Sequence, residues 1–238
     1  MATLPRRDVA ALIPAFEAEA TIAAVVAETR AQIARVLVVD DGSADATGAR
    51  AAAAGAEVVA HGVNRGKGAA LQTGFEALAG GGVERVVTLD ADGQHLPSEI
   101  PALLAASDGS PGAIVVGIRR KEGQPIAALN QFGNWIADGL LELIAGRALP
   151  DTQSGFRVYP VSQALALEVV GERYDFETEI LLRAARRGID IIGVPVAVYY
   201  PPVDERVSHF RPWEDTLRII GSVVRLLWDG ARRAAPPE

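Results

Sequence analysis

The 238-residue chain contains no cysteine. Disulfides and thiolate metal sites are therefore excluded, and a reducing compartment is permitted. No stretch offers about 18 uninterrupted apolar residues, so no membrane-spanning helix is expected, while attachment to a membrane surface stays open. The first residues, MATLPRRDVAALIPAF, lack the apolar core of a secretory signal. Positive charge is short: 23 Lys and Arg stand against 30 Asp and Glu, a formal net charge of -7. That balance argues against a general nucleic-acid binder. Two nucleotide motifs are also missing. The spacing GxxxxGK[ST] does not occur, and no GxGxxG opens the first crossover, which disfavours a P-loop enzyme and a dinucleotide dehydrogenase.

What is there is a chain rich enough in apolar residues, 49%, to bury a sizeable core in one large domain or two small ones. Short apolar runs alternate with alanine-rich helical stretches. Strands are expected at Val9–Ile13, Val36–Asp40, Glu57–His61, Arg85–Asp90 and Ala113–Ile118. Helices are expected at Ala18–Ile33, Ala44–Ala54, Gly68–Leu78 and from about Ser98 to Ala106. This alternation predicts an α/β fold, with parallel strands joined by right-handed crossovers in a doubly wound sheet. The runs VLVVD and VVTLD are too continuous for burial on one face and suit strands covered on both. The second half is less regular. A helix is expected over Asn130–Ala145, a strand at Gly155–Tyr159, a helix over Phe176–Arg187, an extended run at Asp190–Tyr200 and a last helix from about Trp213 to Arg232.

Ligands of open α/β sheets bind beyond the carboxyl ends of the strands. Three unusual segments fall there: PAFEAEATI after the first strand, DDGSADAT after the second, and DADGQH after the fourth. Asp41-Gly42-Ser43 also reads as a turn followed by a helix cap. A lone Asp-x-Asp is a weak motif, but at a strand end beside Gln94 it offers hard oxygen ligands for Mg²⁺ or Mn²⁺. Gly66-Lys67-Gly68, before a helix, is placed to face a phosphate or to be a solvated helix start. His61 and His95 read as loop residues without catalytic duty, since no nucleophile pattern surrounds them.

Together, LIPAFEAEATI, VLVVDDGSADAT, NRGKGAALQTGF, VVTLDADGQHLP and DTQSGFRV resemble the inverting family 2 glycosyltransferases. The likeness is to the branch of dolichol- and polyprenyl-phosphate sugar synthases, and it covers roughly Val9 to Tyr200. It implies the GT-A fold, a Rossmann-like nucleotide-sugar half (about 8–120) merged with an acceptor half (about 121–211), followed by a C-terminal helix and tail over 212–238. It implies that Pro14, Phe16 and Asp41 hold the nucleotide base and ribose, with Glu17 standing where the family often has Asn. Asp90, Asp92 and Gln94 match the metal and diphosphate site, with Asp92 central to catalysis. Arg119 matches a basic residue near the diphosphate or acceptor, and Arg157 lies in the SGFR segment. The segment ERVSHFRP resembles a basic loop that closes over donor and acceptor phosphates, which brings in Ser208, His209 and Arg211. A sugar nucleotidyltransferase is the weaker reading, because PAFEAEAT replaces its glycine-rich loop.

The acceptor decides whether a base is needed. A sugar hydroxyl must lose a proton to a carboxylate within hydrogen-bond reach, for which Asp151, Asp175, Glu177 and Glu179 are candidates. A lipid phosphate is already anionic near neutral pH and needs cations instead. Asp175 and Glu177 also read as helix N-terminal acids. The expected partners are thus a nucleotide sugar, a lipid-phosphate acceptor and a membrane surface, with no nucleic acid. The expected location is cytoplasmic, peripheral on the inner face of the membrane. The surface contact rests on RPWEDTLRIIGSVVRLLWDGARR, whose helical projection puts Trp213, Leu217, Ile220, Val224, Leu227 and Trp228 on one side. From Arg206 to Arg233 six arginines stand against three acids.

Overall fold

The computed structural model describes residues 8–120 and 141–199, apart from 143, 172 and 174, together with residue 221. Most of the helix expected over Asn130–Ala145, the ERVSHFRP loop with Ser208, His209 and Arg211, and the helix expected from Trp213 lie outside the described residues.

Seven strands form one sheet. They are β1 (Val9–Ala15), β2 (Val36–Asp40), β3 (Glu57–Ala60), β4 (Arg85–Thr88), β5 (Ile114–Arg119), β6 (Arg157–Pro160) and β7 (Ile191–Val196). Their order is β3-β2-β1-β4-β6-β5-β7. Every residue of β1 and β2 is buried, as their unbroken apolar runs require of strands covered on both sides. Between the strands lie α1 (Ile22–Arg30), α2 (Thr47–Ala53), α3 (Lys67–Ala79), α4 (Ile100–Gly109), α5 (Val161–Ala166) and α6 (Asp175–Arg186). Successive side chains of a strand point to opposite faces. Ala11 and Ile13 accordingly pack in one cluster with Ile22, Val26 and Leu103, from α1 and α4. Ala10 and Leu12 pack in another with Leu71, Phe75 and Ile180, from α3 and α6. Helices therefore cover both faces. Phe75 joins that second layer, with its ring edge-on to Tyr159 at 5.3 Å and stacked on Phe176 at 6.4 Å.

The direction of one strand was not read from the sequence. The sheet is mostly parallel, but β6 enters between β4 and β5 and runs antiparallel to both. The run GFRVY shows burial, and burial carries no strand direction. The helix α5, which follows β6 directly, was not expected either. It has six residues and buries only Val161 and Ala164, too short a pattern for a helical period to show. Among the described residues no helix is long and apolar enough to cross a membrane.

β1 pairs with β2 on one side and β4 on the other, both parallel. The order of the parallel strands reverses there, so the loops after β1, β2 and β4 diverge around a crevice at their carboxyl ends. The three segments singled out in the sequence surround that crevice.

Candidate active site

The loops after β1 and β2 are tied together by backbone donors. The amides of Glu17, Ala18 and Glu19 donate to Ser43 Oγ (2.9 Å), Thr47 Oγ1 (2.8 Å) and Asp45 Oδ2 (3.2 Å). Pro14 lies in β1 opposite Val39, Phe16 is half-buried, and Glu17 is exposed at the turn. Glu17 has φ of +47°, a left-handed conformation in which Asn is enriched and Glu is not. Thr21 Oγ1 donates to Ala91 O at 2.6 Å, which fastens the start of α1 to the DADGQH turn.

Asp41 is turned inward. Its carboxylate accepts from the amides of Arg65 (2.9 Å) and Gly66 (2.7 Å) and lies 2.6 Å from His61 Nδ1. It is 3% exposed, and the group holds the 61–66 turn. That turn ends at Gly66, whose φ of +100° suits glycine, and it delivers Lys67 as the first residue of α3. His61 is likewise more than a loop residue, since its other ring nitrogen lies 3.0 Å from Thr73 Oγ1 on α3.

Lys67 is not a solvated helix start. Its ammonium lies 2.5 Å from Asp90 Oδ1 and 2.6 Å from Glu177 Oε1, with 15% of the side chain exposed. Burial disfavours the charge, but the two carboxylates outweigh it and raise the lysine above its ordinary value. Burial would raise Asp90, but Lys67 above all, then His95, hold its carboxyl low. Asp92 goes the other way. Burial and then the negative charge of Asp90 push it up to about 6. Asp92 Oδ1 also accepts from the Gln94 amide at 2.9 Å, which closes the turn. His95 is buried and stacked on Phe156, and its Nδ1 accepts the Asp90 amide at 3.2 Å. That bond requires an unprotonated Nδ1, and burial pushes the imidazole down to about 4.

Backbone from the segment before β6 and from just beyond β7 closes in on this cluster. A Cβ on Gly155 would stand 2.8 and 2.9 Å from the Asp90 carboxylate oxygens and 2.9 Å from Lys67 Nζ, so a side chain there would force that pair to shift. The Gly155 carbonyl accepts from Thr88 Oγ1 at 2.7 Å. Tyr199, just beyond β7, donates its amide to Gln94 O at 2.9 Å.

Arg157, the arginine of the SGFR segment, faces the protein. It is fully buried, and its guanidinium donates to the carbonyls of Ser154 (2.6 Å), Thr152 (2.8 Å) and Glu177 (2.8 Å) and to Tyr159 Oη (3.0 Å). It braces the 152–155 segment from behind and offers no surface to a ligand. Arg119, at the end of β5, makes a two-pronged contact with Asp151, 2.8 Å on each prong. Burial raises Asp151, and the Arg119 hydrogen bonds and charge more than offset it, leaving it below the usual carboxylate range. Asp175 accepts the Arg173 amide at 3.1 Å in the first turn of α6. Glu179 accepts the amides of Val170 (3.1 Å) and Gly171 (3.0 Å) and pairs with Arg183 at 2.6 Å.

Among the described residues no cluster of three or more His, Asp and Glu side chains could cage a metal ion. Asp90 and Asp92 nevertheless fit a hard divalent cation of the Mg²⁺ type, which takes one or two carboxylates and completes its shell with water and substrate phosphate. Burial and then the charge of Asp90 raise Asp92, and a cation held between the two carboxylates would offset both.

A family model described as Glycosyl transferase family 2 matches residues 10–161. Glycosyltransferase AglJ of Haloferax volcanii is 31% identical over 217 residues, 89% of this chain and 70% of that one. The undecaprenyl-phosphate mannosyltransferase of Micrococcus luteus is 31% identical over 172 residues, 68% of this chain and 70% of its own. Among solved structures, glucosyl-3-phosphoglycerate synthase from Mycobacterium tuberculosis, in complex with Mn²⁺, UDP and phosphoglyceric acid, superposes with a TM-score of 0.73 at 24% identity. That match covers 98% of this chain and 80% of the other, and at this identity it shows a shared fold.

Proposed function

The chain belongs to glycosyl transferase family 2, and from that premise we propose that it moves a sugar from a UDP- or GDP-sugar to a lipid phosphate of the polyprenyl type, with inversion and with Mg²⁺ or Mn²⁺. The donor nucleotide lies along the loops after β1 and β2, against Pro14, Phe16 and the Glu17 turn. Asp90, Asp92 and Gln94 hold the cation and, through it, the diphosphate. A cation held there acts as a Lewis acid that offsets charge on the leaving diphosphate. Arg119, with Ser208, His209 and Arg211, meets the donor and acceptor phosphates.

One observation carries the choice of acceptor. Among the described residues, each of the four carboxylates offered as a general base already has a partner: Asp151 in Arg119, Glu177 in Lys67 at Oε1, Glu179 in Arg183 and two amides, and Asp175 in the Arg173 amide. A base must have a lone pair within reach of the acceptor proton. An acceptor that arrives as an anion needs none. The relative in Micrococcus luteus, by its name, transfers mannose to undecaprenyl phosphate, which supports the same class.

The test is release of nucleoside diphosphate from a panel of UDP- and GDP-sugars, with and without polyprenyl phosphate and with Mn²⁺ or chelator. Release is expected only with cation and lipid phosphate together. Asp92→Asn should remove most turnover while the fold stays intact. Near wild-type rates for that variant in chelator would sink the metal assignment.

A further inference from the structure

Lys67 stands between two carboxylates with different duties. Asp90 is a proposed cation ligand, and Glu177 is buried beneath the site on α6. Lys67 Nζ lies 2.5 Å from Asp90 Oδ1, so ammonium and divalent ion compete for the same carboxylate. Space is short as well. The Gly155 backbone approaches so closely that an added Cβ would touch both Asp90 oxygens and the ammonium. Glu177 provides a place of retreat. Its Oε2 is buried and has no hydrogen-bond partner among the described residues, while its Oε1 already lies 2.6 Å from the lysine.

We propose that Lys67 is a resident counter-ion of Asp90 that makes cation binding conditional on the nucleotide diphosphate. A divalent ion arriving alone meets one carboxylate neutralised by the lysine and a second, Asp92, short of a full partner set. An ion arriving with a diphosphate brings negative charge that compensates the lysine. The ammonium then draws back onto Glu177 and stays close enough to attract the diphosphate. Lys67 is thus a positioning residue that enforces joint entry of cation and nucleotide, and Glu177 serves as its anchor. This inference rests on the metal-dependent reading above.

The measurement is Mn²⁺ binding to the full chain, followed by water-proton relaxation, with Mn²⁺ alone and with UDP or GDP, against nucleotide-only controls. Wild type should bind Mn²⁺ alone at least tenfold more weakly than Mn²⁺ with its nucleotide. Lys67→Met should bind Mn²⁺ alone at least tenfold more tightly than wild type and lose most of the nucleotide dependence. Lys67→Gln, which keeps polar contact with both carboxylates, serves if the Met variant does not fold. Glu177→Gln removes the anchor, so it should weaken Mn²⁺ binding in the presence of nucleotide severalfold and bring no gain for Mn²⁺ alone. Lys67 variants that bind Mn²⁺ alone no better than wild type, or a Glu177→Gln variant that binds it better, overturn the proposal and leave the metal site standing. Absence of Mn²⁺ binding by wild type with any nucleoside diphosphate instead removes the metal-dependent reading, and the counter-ion role with it.

Discussion

His95 shows how a buried side chain can set the behaviour of a site. Its ring is packed on Phe156, and its Nδ1 takes the amide hydrogen of Asp90, so it orients the turn that carries the aspartates. The imidazole is ordinarily near 6.5 and sits at about 4 in the fold. The unfolded chain therefore binds a proton between these values that the folded chain does not. The stability that neutral His95 contributes is complete above about pH 6.5 and is lost as pH falls to about 4, with a slope of up to about 1.4 kcal/mol per pH unit. His95→Asn, whose amide oxygen can stand in for Nδ1, should flatten the stability profile across that window. Denaturant unfolding in chelator at pH 7, 6, 5 and 4.5 measures it, and an unchanged slope would show that the acid sensitivity comes from elsewhere. A sequence could mark His95 as present beside Asp90, but not as buried. The same holds for Lys67 with Glu177, and for Arg119 with Asp151. These partners are separated by 110 and 32 positions, and only the closed fold shows that they meet. Asp41 and Arg157 illustrate the converse. Their motifs record a residue type, and a residue type does not tell that the side chain is tied into the protein as these are.

Among the elements, those of the first half were legible because each strand there is an unbroken apolar run ended by acids or turn residues. The strand at Val36–Asp40 is observed with its expected ends, the other strands of the first half differ by one or two residues, and the helices by up to four, as for Ile22–Arg30 against the expected Ala18–Ile33. The second half was harder. The direction of β6 and the existence of α5 depend on tertiary pairing, which a four-residue strand and a six-residue helix do not encode locally. The helix α3 links fold to site, since it begins at Lys67 and buries Phe75 two turns later. Phe75 contacts rings from β6 and α6, the same elements that supply Arg157 and Glu177. Phe75→Ala should cost about 3–5 kcal/mol through the cavity it leaves. In a chain of this size that corresponds to a fall of about 10 °C in the melting midpoint. A fall of only one or two degrees, read by circular dichroism, would mean that the three elements are not held through this ring.

For the whole molecule, the open question posed by charge is how a chain of net -7 meets an anionic lipid. The sequence concentrates six arginines against three acids between Arg206 and Arg233, among apolar residues that recur at helical spacing, and we propose that this segment docks on an anionic leaflet. Flotation of the full chain with anionic liposomes, compared with a version ending at Arg211, tests that proposal. Equal flotation of both would assign the segment to packing within protein. Docking would bring the acceptor to the crevice. In the proposed reaction the acceptor then attacks as an anion, and no carboxylate takes a proton from it. That chemistry is tested by setting polyprenyl phosphate against the same lipid as a free alcohol, with the donor sugar and Mn²⁺ held fixed and nucleoside diphosphate release as the readout. The phosphate should be turned over and the alcohol should give no release above background. Equal turnover of the alcohol would refute the anionic-acceptor mechanism, because it would demand a base that the engaged carboxylates do not provide.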